Sequence, residues 1–179
     1  MDTIKNRLTI VTLNTEEPIF DFAKVRNEEL SKARAEWVLF LDSDEEVSTK
    51  LVEEIRQVLK NPNMGYKIRR KDRFLGKWLR FGETGNVKII RLAKKDNGRW
   101  ERPVHEVWNI KGKVGELKNP IYHYHDSIEE MIERMDRYSL MEAEYRRSIK
   151  RKWLNDSKVK WLIELLVFPL GKFIWNYFI

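Results

Sequence analysis

Five consecutive apolar residues, Trp37-Val38-Leu39-Phe40-Leu41, stop abruptly at Asp42-Ser43-Asp44-Glu45-Glu46. A strand-like run without polar alternation is buried on both faces, which calls for a sheet with packing layers on either side. Sheets of that kind place their ligands at the carboxyl ends of their strands. The acidic turn after Leu41 is therefore the first place to look for chemistry. The 179 residues suit one domain with a real core, and 42% hydrophobic with 35% charged residues is a folded-domain composition.

The flanking sequence supports an α/β reading. Leu8 to Leu13 mixes β-branched and apolar residues as strands do, and Asp21 precedes a helical pattern of Phe22, Val25, Leu30 and Ala33 that ends near Ala35. Ser48 is placed to cap a helix reaching about Lys60, and Asn61-Pro62-Asn63 breaks it. From Tyr66 to His125 the chain reads as short strands: Tyr66–Arg70, Val87–Leu92, Val104–Ile110 and Pro120–Tyr124. Ser127-Ile128-Glu129-Glu130 is a capping box that opens a long helix. Its stripe of Ile128, Met131, Ile132, Met135, Tyr138, Met141 and Tyr145 is expected to pack into the core. Residues 157–179 read as helix kinked or broken at Pro169. The division expected is a main domain over 1–150 and a basic, apolar helical segment over 151–179.

Composition removes several chemistries. With no cysteine, disulfides, Cys-ligated zinc, iron–sulfur clusters and thiol nucleophiles are excluded. No nucleophile elbow, glycine-rich phosphate loop or dinucleotide fingerprint is present. The net charge of +7 admits nucleic acid, an anionic membrane surface or a phosphate-bearing substrate. The N-terminus shows no signal peptide, and the apolar stretch from Trp161 to Ile179 is a poor spanning helix because Glu164, Pro169 and Lys172 interrupt it.

Three constellations can carry chemistry. Asp42 and Asp44, one residue apart at a strand end, can both face a divalent cation such as Mg²⁺ or Mn²⁺, or simply form a solvated turn. Glu106, beside His105 in apolar surroundings, can serve as a general base toward a hydroxyl, or can belong to an edge strand half in water. His123 and His125 can complete a metal site or sit satisfied on one strand face. The basic, aromatic stretch over residues 67–80 can bind phosphates, stack a sugar or base, touch RNA, or form a solvated face.

Asp21 to Asn27, Glu36 to Glu46, Arg73-Phe74-Leu75-Gly76-Lys77-Trp78, Ile90-Arg91-Leu92, Val104-His105-Glu106, Ile121-Tyr122-His123-Tyr124 and Arg137-Tyr138-Ser139 follow one another in a telling order. In this the chain resembles the family 2 glycosyltransferases of the GT-A fold, especially the small bacterial group that includes lipopolysaccharide-core glucosyltransferases. The resemblance implies a Rossmann-like mixed sheet flanked by helices. It also implies inverting transfer of a sugar from a nucleotide donor to a hydroxyl of a cell-envelope or lipid-linked glycan. Asp42 and Asp44 would match the motif for Mg²⁺ or Mn²⁺ and the diphosphate, with His123 approaching either. Arg26, Asn27 and Arg91 would lie near the donor, Glu106 would be the base with His105 supporting it, and Arg73, Lys77 and Trp78 would contact acceptor or phosphate.

Longer family members carry a fuller nucleotide-binding half, whereas only 20 residues precede Asp21 here, so a shortened donor half is expected. An alternative is a non-catalytic, membrane-associated member anchored by Trp161, Phe168, Phe173, Trp175 and Phe178. A nucleic-acid-binding module is the weakest alternative, because 28 acidic residues are spread among the basic ones. No nucleic-acid partner is expected. The location expected is cytoplasmic, peripheral on the inner face of the cell membrane.

Overall fold

The computed structural model of the chain describes residues 7–14, 18–85, 87–125, 127–149 and 162–178. The chain opens with a parallel crossover: β1 (Leu8–Leu13), α1 (Phe22–Lys32) and β2 (Trp37–Asp42), with Leu8 opposite Trp37 and Leu13 opposite Asp42. β3 (Glu45–Val47) and α2 (Thr49–Val58) follow, then β4 (Gly65–Phe74), β5 (Lys77–Trp78), β6 (Lys88–Lys94), β7 (Gly98–Glu101) and β8 (Val107–Ile110). β9 (Val114–Glu116), β10 (Ile121–His125) and α3 (Ile128–Ser148) come next. The main sheet is mixed, in the order β1-β2-β6-β4-β10-β3, with β5 and β9 pairing with β4, while β7 and β8 form a separate hairpin.

The apolar run of β2 is buried on both faces, as its sequence required. Trp37, Leu39 and Leu41 join Leu51 and Ile55 of α2 with Ile68, Leu92 and Ile121 on one side. Val38 and Phe40 join Ala23 and Leu30 of α1 with Trp100 and Trp108 on the other. Phe40 stands edge-on to both tryptophans at 5.3 Å, and the two indoles stack at 4.9 Å. The helix starts are set by their caps: Asp21 accepts from Lys24 N, Ser48 from Leu51 N and Ser127 from Glu130 N.

Elsewhere the structure corrects the reading. The stretch Val104–Ile110 is not one strand, since β8 begins only at Val107. Arg102 (φ 74°) and His105 (φ 50°) adopt left-handed backbone that a strand cannot accommodate. The apolar stripe of α3 is not core along its length: Met141 is buried, but Ile128, Ile132 and Met135 are exposed. β5 exists because Leu75 (φ 46°) and Gly76 (φ 79°) make a tight left-handed turn that folds Trp78 back against Arg73.

At the C-terminus, helical backbone runs without a break over residues 162–178, and the irregularity is a π-helical turn over Ile163–Val167 directly ahead of the helix Phe168–Phe178 that holds Pro169. Residues 157–161 of the expected helix lie outside the described residues. No helix among the described residues is long and apolar enough to cross a membrane.

Candidate active site

The carboxyl end of β2 opens onto a cavity of about 660 Å³, and the two aspartates there do different work. Asp42 turns to a pair of arginines. Its Oδ1 accepts from Arg26 Nη2 at 2.6 Å and its Oδ2 from Arg91 Nη2 at 2.6 Å. The same guanidiniums reach further carboxylates. Arg26 Nε donates to Glu106 Oε1 at 3.0 Å, and Arg91 Nη2 donates to Glu45 Oε1 at 3.3 Å. Arg91 Nη1 lies 3.7 Å from Glu106 Oε1. Burial disfavours the Asp42 charge, but Arg91 and Arg26 outweigh it and hold its carboxyl below the usual range. Burial likewise opposes the Arg91 charge, and Asp42, Glu45 and Glu106 more than reverse that, raising its pKa.

Asp44 faces a second cluster. Asp44, His123 and His125 each bring one donor atom to within 4.8 Å of the others. His123 Nδ1 is 2.6 Å from Asp72 Oδ1, which leaves Nε2 pointing at Asp44 Oδ1, 3.4 Å away. The two imidazoles meet nearly at right angles, 3.9 Å apart. Arg134 of α3 donates to Asp44 Oδ2 at 2.7 Å. Burial raises the Asp44 pKa, yet bonds from His123 and Arg134 win and keep it well below the usual carboxylate range. Asp72 is also held low: burial opposes its charge, and bonds from His123 and His125 outweigh it. For His123, burial lowers the pKa but bonds to Asp44 and Asp72 leave it raised.

This cluster fits a divalent cation. Asp44 Oδ1 is buried and its partner, His123 Nε2, stands 3.4 Å off, so a buried acceptor with only a long contact is left for a cation to satisfy. Asp72, behind His123, is the carboxylate that commonly orients a metal-ligating imidazole. Its position in a basic run hid it from sequence reasoning. His125 shares the His123 face because the two are separated by one residue on a strand.

The other expected residues separate into those the cleft gathers and those it does not. His105 and Glu106 line the cavity from the left-handed loop before β8. Arg26 is 0% exposed, so it holds Asp42 and Glu106 rather than a ligand. Asn27 uses its amide on the backbone of Trp100, donating to its carbonyl at 2.9 Å and accepting from its N–H at 3.0 Å. It fastens α1 to β7. Arg73, Lys77 and Trp78 do not line the cavity. Arg73 pairs with Tyr124, on the alternate register from Asp72 and His123, and Trp78 packs on Tyr122 at 5.3 Å.

A parallel β–α–β opening, a mixed sheet flanked by helices and an acidic strand end beside an imidazole pair define a GT-A-like α/β protein. Residues 11–109, more than half of the chain, match the model of glycosyl transferase family 2, and the chain belongs to that family. It is also 28% identical over 92 residues to a TPR repeat-containing protein of Synechococcus elongatus. That match takes in 49% of this chain but only 21% of the relative's length.

Proposed function

We propose that the chain is a metal-dependent, inverting glycosyltransferase that moves a sugar from a nucleotide-sugar donor to a hydroxyl of a cell-envelope or lipid-linked glycan. The observation that carries this reading is one cavity with the Asp44–His123–His125 cluster and the Glu106 carboxylate both in its wall. Asp44, His123 and His125 are the residues that would hold the cation. When bound there, a divalent cation supplies charge neutralisation for a leaving diphosphate. Two imidazoles with one carboxylate suit Mn²⁺ better than Mg²⁺, which prefers oxygen ligands throughout.

Glu106 takes the proton of the attacking hydroxyl as its oxygen forms the new bond to the anomeric carbon. The bond from that carbon to the diphosphate oxygen breaks, and the configuration inverts. Arg26 fixes Glu106 through its Oε1. Its partner Arg91 lies between Glu106 and Asp42 and so ties the base to the strand end. A panel of nucleotide sugars with Mn²⁺ and glycan acceptors tests the reading, with NMR following the anomeric configuration. Product of inverted configuration is expected. Retained configuration, or no turnover of any donor, contradicts it.

A peripheral seat on an anionic membrane is supported by the exposed apolar residues of the C-terminal segment, among them Phe168, Leu170, Phe173 and Trp175. The protein should float with anionic vesicles, and Phe173→Glu with Trp175→Glu should abolish flotation. Unaltered flotation of that double variant would remove this part of the proposal.

A further inference from the structure

The first half of α3 forms a wall of the cleft through Met131, Arg134 and Met135, and its attachment is uneven. The second half is well anchored. Met141 is buried with Phe22 and Val104, Tyr138 meets Phe22 edge-on at 5.7 Å, and Glu142 holds Arg102 at 3.0 Å. Ahead of Tyr138 the helix exposes Ile132 and Met135. Among the described residues, the ion pair that ties this half to the sheet is Arg134 Nη1 on Asp44 Oδ2 at 2.7 Å. The guanidinium thus sits on one oxygen of the carboxylate whose other oxygen faces His123 Nε2.

A guanidinium and a divalent cation repel each other, and that repulsion is strong where water is scarce. Both are drawn to Asp44. An arginine also has the forked donor geometry that matches two phosphate oxygens. An arginine on a loosely held helix half, beside a cation ligand and over the cleft, therefore has two partners of similar chemistry at different stages.

We infer that Arg134 is a donor-responsive residue: it pairs with Asp44 before ligands bind, yields that carboxylate to the cation, and takes the diphosphate instead, drawing the first half of α3 over the cleft. The inference rests on the glycosyltransferase reading and adds to it a residue and a direction of movement. Two further consequences follow from the charges alone. Loss of Arg134 strengthens binding of the bare cation and weakens binding of the diphosphate, so the two affinities move in opposite directions. A side chain that merely supports the fold moves both the same way or neither.

Two titrations read this directly, without turnover. Mn²⁺ alone, followed by the EPR signal of the free ion, should bind Arg134→Gln at least about threefold more tightly than wild type. A nucleoside diphosphate chosen as the best wild-type binder among UDP, GDP, ADP and dTDP, titrated calorimetrically with saturating Mn²⁺, should bind Arg134→Gln about tenfold more weakly. Arg134→Lys keeps the charge without the fork, so it should return the Mn²⁺ affinity toward wild type while recovering little of the nucleotide affinity. Equal or weaker Mn²⁺ binding by Arg134→Gln, or unaltered nucleotide binding, overturns the inference alone. Wild-type protein that binds neither Mn²⁺ nor any of the nucleotides overturns the transferase reading and this inference with it.

Discussion

Arg26→Leu is expected to destabilise the protein by about 3–5 kcal/mol, because it leaves buried carboxylates short of their partner. Arg26 has no exposed surface and serves two acids at once, through Nη2 to Asp42 and Nε to Glu106. Its guanidinium also lies 4.8 Å from the Trp100 ring centre, so the site is apolar around the charges. Leucine removes the cation but not the acids. Arg91 still reaches Asp42 at 2.6 Å, which places the effect toward the lower end of that range. Lysine is no substitute, since one ammonium cannot reproduce a fork aimed at two separate carboxylates. Equilibrium urea unfolding measures the effect. A cost below about 1 kcal/mol, the level of an exposed pair, would show that the network is solvated rather than buried.

The largest effect on turnover is expected from Glu106→Gln. The amide keeps an oxygen that can accept from Arg26, so the loop and its stability should be preserved, while the capacity to take a proton is lost. A general base contributes about 10²–10⁴-fold, and kcat should fall by that factor with nucleotide affinity little altered. Steady-state kinetics with calorimetric binding separates the two quantities. A fall in kcat of less than tenfold would move the role of base to another group. The backbone around Glu106 is part of the same design. His105 is held at φ 50°, Pro103 O accepts from Phe22 N at 2.8 Å, and Val104 is buried, so the carboxylate is presented by a loop pinned on both sides.

The parts of this architecture that depend on local physics were readable in the sequence. The unbroken apolar run of β2 announced burial on both faces, and Asp21, Ser48 and Ser127 announced helix starts, because capping and periodicity involve neighbours a few residues apart. The acidic strand end was equally visible as a place where charge collects at the end of a buried strand. What the sequence could not reveal is how Asp42 and Asp44 divide. Asp42 belongs to arginines 16 and 49 residues away, and Asp44 to an arginine 90 residues away. Pairings over such separations leave no periodic trace.

The same holds for Asp72, a buried acid set among Arg69, Arg70, Lys71 and Arg73 in a run that reads as a solvated basic face. β3, β5 and β9 are two or three residues long and are defined by the strands they pair with rather than by their own composition. The stripe of α3 shows the opposite failure. Its spacing is regular, yet half of it faces the cleft and solvent, because periodicity reports an apolar face and not what covers it.

We propose that Asp44, with His123 and His125, holds a divalent cation on which nucleotide binding depends. Calorimetric titration of nucleoside diphosphates into wild type and Asp44→Asn, each with Mn²⁺ and with EDTA, tests it most directly. Wild type should bind a nucleoside diphosphate with Mn²⁺ at least about tenfold more tightly than with EDTA, and Asp44→Asn should abolish that difference. Equal affinity with and without Mn²⁺ in the wild type, or a Mn²⁺ effect that survives in Asp44→Asn, would rule out a cation held by Asp44.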